Sequence, residues 1–175
     1  MAMPLTMLEL KAMSHFSTVK TKLVDRDALV AGLREVLGAI GIDNPIIEVY
    51  DTPQRLENSY APSDVAHGNI IVRRGCIPRP DWRDGWSAID IGFLYQDDCY
   101  QAVLDAWDIE HSAIGQHFQQ SSNTNAFLNA LQVAHNKAYV TAQYPVEQWA
   151  QGNWVTLPDG SLQTTLTQKV DLAMI

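Results

Sequence analysis

Ser87 to Trp107 reads SAIDIGFLYQDDCYQAVLDAW, and two periodicities meet inside it. In the first half Ile89, Ile91, Phe93 and Tyr95 alternate with Ala88, Asp90, Gly92 and Leu94. That two-residue period predicts a strand over 87–95. In the second half Tyr100, Val103, Leu104 and Trp107 stand at helical spacing. Asp97 and Asp98 suit the positive end of a helix dipole, so a helix is expected to follow the strand directly.

Upstream, the pattern predicts strands over 15–24, 46–50 and 69–74. Between the first two lies the clearest helix. Asp25 offers an N-cap, Leu29, Val30, Leu33, Val36, Leu37 and Ile40 recur at helical spacing, and Gly38 and Gly41 mark the stop. Residues 51–63 and 76–86 contain Pro53, Pro62, Pro78, Pro80 and Gly85 and read as irregular connections. Downstream, 115–123 is polar and reads as a loop or weak turn. From Thr124 a longer helix carries Phe127, Leu128, Leu131, Ala134 and Ala138 until Pro145. Pro158-Asp159-Gly160-Ser161 then predicts a turn joining strands over 154–157 and 162–170.

Strands in consecutive runs imply an α+β fold, with a mostly antiparallel sheet and helices on one face. A ferredoxin-like sandwich with C-terminal extensions is the simplest such arrangement. With 175 residues, 46% of them apolar, the chain can bury one complete core. It is read as a single domain over 13–175 behind a flexible extension, residues 1–12. The extension is read either as a floppy or upstream-start segment or as an apolar docking arm.

Twelve Lys and Arg against twenty Asp and Glu give a net charge of −8, which disfavours nucleic acid as the main partner. No run reaches the about 18 apolar residues of a membrane span, and no basic n-region marks a secretory signal. The two cysteines, Cys76 and Cys99, are too few for a disulfide framework or a zinc ribbon and fit a reducing compartment. No cofactor motif appears.

Met13-Ser-His-Phe-Ser17, Lys20-Thr21, Asp90-Ile-Gly-Phe93, then Tyr100, Val103, Asp105 and Trp107, and finally Asp159-Gly-Ser161 occur in this order. The order resembles the cyanobacterial and plastid family of hypothetical chloroplast open reading frame thirty-five, a domain of unknown function. The likeness spans residues 13 to about 170. It implies a protein of a phototroph's cytosol, or of a phage that infects one, and carries no activity or catalytic residues to transfer. The chain departs from the family pattern in a long 76–86 loop, in Ala134-His135-Asn136, and in an apolar tail, Leu172 to Ile175, where basic residues are common.

Positive charge is densest at Arg73, Arg74, Arg79 and Arg83, interleaved with Trp82 and Trp86. Arginine forks bind phosphate or carboxylate bidentately and indoles stack on rings, so this loop is a candidate anion site. The competing reading is local pairing with Asp81, Asp84 and Asp90. Asp105, Asp108, Glu110, His111 and His117 are metal-ligand types, but their spacing matches no metal motif, and solvated acids at a helix end explain them better. His15 is expected to be a hydrogen-bonded histidine near a sheet edge, and His135 a boundary or interface residue. Lys20, Lys22, Asp90 and Gly92 are candidates for an open sheet face through which two copies associate.

No nucleophile elbow or other catalytic constellation appears. The chain is therefore expected to be a non-catalytic binding or assembly protein with a protein partner or a homo-oligomeric state. The alternative is a regulator that binds a phosphate-bearing small molecule at 73–83. An enzyme of another kind would need a pocket where pKa-perturbed groups converge.

Overall fold

The computed structural model describes residues 15–119 and 123–170. The expected N-terminal extension and the apolar tail from Leu172 lie outside them. The strands of the main sheet are β1 (Ser17–Val19), β2 (Ile47–Arg55), β3 (His67–Val72), β4 (Ile91–Gln96) and β5 (Cys99–Leu104). Their order across the sheet is β1-β5-β4-β3-β2, with every neighbouring pair antiparallel. The α+β class stands. The strand order is its own: β2 to β5 form a meander and β1 lies at the edge beside β5, not in the interleaved order of a ferredoxin-like sandwich.

Helix α1 (Arg26–Ile40) follows its sequence signals. Asp25 accepts from the Ala28 N–H, and Gly41 closes the helix in the left-handed region at φ 100°. Its Leu29, Leu33, Val36 and Leu37 face the sheet and pack with Ile70, Val72, Ile91, Phe93, Ala102 and Leu104. Short helices α2 (Ala106–His111) and α3 (Ala113–His117) and the long α4 (Asn123–Gln143) pack on the same side. Phe127, Leu131 and Ala134 of α4 join that core. At Gly32 the two long helices meet closely: a Cβ there would stand 3.0 Å from the His135 backbone nitrogen.

The expected helix after Asp97-Asp98 is strand β5. Tyr95 faces Tyr100 and Gln96 faces Cys99, so the two aspartates form a two-residue hairpin turn. Both have positive φ, 55° and 62°, which aspartate tolerates better than most residues. Tyr100, Ala102 and Leu104 join the helix-side core while Val103 packs on the opposite face, so β5 is apolar on both sides. An alternation hidden in this way mimics a helical stripe.

The opposite sheet face is also covered. Leu56, Ile71 and Val103 form a second cluster with Phe16, Tyr50, Ala66 and Leu94. A Cβ on Gly92 would come within 2.6 Å of a Leu56 methyl, so the group that approaches this glycine belongs to the chain itself. The C-terminal part forms two small ladders: β6 (Trp149–Gln151) with β9 (Leu166–Gln168), and β7 (Val155–Thr156) with β8 (Leu162–Gln163). The inner one is the expected hairpin, its turn closed by Asp159 accepting from the Ser161 N–H and hydroxyl. Among the described residues no helix is long and apolar enough to cross a membrane.

Candidate functional site

The arginine-rich loop folds back on itself between β3 and β4. Pro78 bridges to Trp86, the Arg79 N–H donates to the Gly85 carbonyl, and Gly85 adopts φ 82° to make the turn. Two buried carboxylates hold this loop from beneath.

Asp90 is the first. Its Oδ2 accepts from Arg73 Nη1 and from the Glu57 N–H, and its Oδ1 accepts from the Arg74 N–H, all at 2.7 Å. Asp108 of α2 is the second. It accepts from Arg79 Nη1 at 2.5 Å, the Ser87 hydroxyl at 2.6 Å, and the Ala88 and Ile89 N–H groups at 2.9 and 3.1 Å. Asp108 in turn is positioned by Asp105, the N-cap of α2, which accepts the Asp108 N–H at 2.8 Å. Burial, with Asp108 nearby, pushes the Asp105 carboxyl up from 3.8 to about 6, and its Oδ2 has no hydrogen-bond partner among the described residues.

Three of the four arginines are engaged by the chain's own acids. Arg73 binds Glu48 and Asp90, which hold its guanidinium still more firmly protonated, and the hydrogen bond from Arg73 in turn holds Glu48 below the usual carboxylate range. Arg74 spans Glu57 and Asp84 at 2.9 and 2.8 Å and donates to the Ser87 carbonyl. Arg79, only 6% exposed, binds Asp81 and Asp108. Local pairing with Asp81, Asp84 and Asp90 therefore prevails over an open anion site at these three. Glu48, Glu57 and Asp108 complete the pairing from positions that sequence spacing does not connect to the loop.

The loop surface carries the remainder. Arg83 lies over the Trp82 ring at 4.9 Å, with Arg79 at 5.1 Å from the same centroid. Tyr60 packs against Trp82 at 5.8 Å, and Trp86 is 41% exposed.

The expected open face of Lys20, Lys22, Asp90 and Gly92 is not one surface. Asp90 is buried in its arginine pairs and Gly92 lies under Leu56, because the segment after β2 runs beside residues 88–90, with Asn58 bridged to Ile89 and the Asp90 N–H donating to the Glu57 carbonyl. Lys20 and Lys22 sit past the end of β1, beside α4.

The remaining candidates are structural. His15 lies 3.5 Å from Asp64. His111 Nδ1 bonds the Trp107 carbonyl at 2.8 Å and its ring packs on that indole, while His117 packs edge-on against Phe118. These groups do not converge with Asp108, which points inward. His135 is buried between α1 and α4. Its Nε2 accepts the Asp25 N–H at 3.2 Å and its Nδ1 meets Asn136 Oδ1 at 3.0 Å. Cys76 and Cys99 are free thiols, and burial pushes the Cys76 thiol up.

Compared with known families, curated proteins and solved structures, the chain has no match.

Proposed function

We propose that this chain is a non-catalytic binding or assembly protein of a phototroph's cytosol, akin to the open reading frame thirty-five family, and that it engages a protein partner through the Trp82–Trp86 turn. One observation carries the reading. The loop's charges are spent inward on Asp90 and Asp108, so the turn is held rigid, and what it shows outward is Arg83, Trp82 and Trp86. Tryptophan and arginine are the residue types that dominate interface energetics, and rigid presentation reduces the ordering cost of binding. The perturbed carboxyl of Asp105 is buried beneath the loop and serves to cap α2.

The test is affinity purification of the full chain from its native host, read by mass spectrometry, alongside an Arg83→Ala/Trp86→Ala variant. The reading expects a partner that is recovered with the wild-type chain and lost with the variant at unchanged melting temperature. If the recovered set is the same for both, the turn is not the binding face. Light scattering of the purified chain tests whether that partner is a second copy.

A further inference from the structure

We propose that the cleft along α4 binds a phosphate ester of a small ring compound, with its phosphate at Lys20 and Lys22 and its ring against Trp154. Two adjoining cavities make up the cleft. One, about 420 Å³, is lined by Lys20, Thr21, Lys22 and the α4 residues Asn125, Asn129 and Gln132. The other, about 630 Å³, continues from Asn129 and Gln132 to Asn136, Trp154 and Ser161. Either volume suits a small molecule.

The charge at this place is unlike the rest of the chain. In a protein of net charge −8, neither cavity is lined by an acidic residue. Among the described residues neither lysine is in an ion pair, whereas Arg73, Arg74 and Arg79 each hold two carboxylates. Asp25, the nearest acid in sequence, is turned to the Ala28 N–H. The segment that carries the lysines is tied to the helix. The Lys22 N–H donates to Gln132 Oε1 at 3.1 Å, and Gln132 Nε2 donates to the Lys22 carbonyl at 3.2 Å.

Helix α4 is itself unusual. Over 21 residues its only Asp, Glu, Lys or Arg is Lys137. Exposed helix positions are normally filled by charged residues or alanine, and asparagine is a poorer helix former. Here Asn125, Asn129, Gln132 and Asn136 recur at steps of four, three and four, which places them on one face. At about 1.5 Å per residue the row runs about 16 Å. The side-chain carboxamides of Asn125 and Asn129 make no hydrogen bond among the described residues, so each offers the cleft both donors and an acceptor.

The ligand class follows from these groups. Unpaired ammonium groups take phosphate. Carboxamides read hydroxyls or the edge of a base. An indole stacks on a ring. The overall negative charge opposes a long polyanion and favours a single small ester.

The test is calorimetric titration of the full chain with adenosine monophosphate, adenosine, ribose 5-phosphate and inorganic phosphate. Adenosine monophosphate or ribose 5-phosphate is expected to bind at least about tenfold tighter than inorganic phosphate, roughly 1.4 kcal/mol. Comparing the two esters tells a nucleoside phosphate from a sugar phosphate. Lys20→Ala/Lys22→Ala should remove the advantage of the monophosphate over adenosine. Asn129→Asp, which adds a charge at an exposed position without repacking the core, should weaken both esters about tenfold and leave adenosine nearly unchanged. Arg83→Ala/Trp86→Ala should change nothing, which separates this site from the protein-binding turn. The proposal is overturned if neither ester binds at millimolar concentration, or if binding survives both cleft variants in chains that melt as the wild type does.

Discussion

The arginine loop and the α4 cleft both bear cations, and they treat their charge oppositely. The loop holds four arginines, and six carboxylates meet three of them: Glu48, Asp90, Glu57, Asp84, Asp81 and Asp108. The cleft has two lysines and no acid in its lining. Density of charge along a sequence is therefore a poor guide to charge available in space. An acidic chain neutralises its densest basic run first, and a sparse pair set beside an amide row is what remains for a ligand. The loop uses its polar groups for architecture, the cleft presents them outward.

The sharpest way to break this comparison is at Asp108. Asp108→Ala would leave the buried Arg79 guanidinium with only the exposed Asp81 at 3.3 Å and strip the Ser87, Ala88 and Ile89 donors of their acceptor. A loss of about 3–5 kcal/mol is expected, read from urea unfolding midpoints. A loss below about 1 kcal/mol would mean that the loop is not held from beneath.

Next in size is the pH dependence carried by Asp105. Its folded carboxyl titrates near 6 against 3.8 for the ordinary value. The folded state thus binds the proton more tightly, so stability falls as pH rises from about 4 to about 6, by about 3 kcal/mol from this group. Asp105→Asn keeps an acceptor for the Asp108 N–H and stays neutral. The difference between variant and wild-type stability should grow in favour of the variant over that window and then level off. A flat difference curve would contradict the buried cap.

Gly92→Val tests the covered face. The new side chain must displace Leu56, at about 1–3 kcal/mol. Combining it with Leu56→Ala should cost less than the sum of the two single changes. An additive double variant would place Leu56 elsewhere.

The smallest expected effect on stability belongs to Lys20→Ala/Lys22→Ala, within about 0.5 kcal/mol, because neither side chain is in an ion pair among the described residues. A larger loss by thermal melting would show that the lysines serve the fold, as the arginines do.

Much of this was legible in the residues. The strand over 87–95, the capped helix from Asp25 to Gly41, the long helix ending before Pro145 and the Asp159-Gly160 turn all carry local signals, and each lies within a few residues of its expected place. The pairing of arginines with Asp81, Asp84 and Asp90 was readable too, because those acids are close in sequence. The hairpin at Asp97-Asp98 was not. Tyr100, Val103 and Leu104 fit a helical stripe because β5 places apolar residues on both faces, and Trp107 extends that stripe from the start of α2. The amide row on α4 had a signal, four carboxamides at helical spacing, which is easily passed over beside the apolar stripe of Phe127, Leu131 and Ala134.

The sequence by itself determined the class of fold, the main helices, the acidic surface and the run of arginines, because periodicity, capping and composition act over a few residues. Only the tertiary structure decided that Glu48, Glu57 and Asp108 complete the arginine network, that Leu56 covers Gly92, and that Lys20 and Lys22 face α4 without acids. Those outcomes depend on which segments, tens of residues apart, the sheet order brings together. No local preference encodes that order, which is set by the burial of two apolar faces at once.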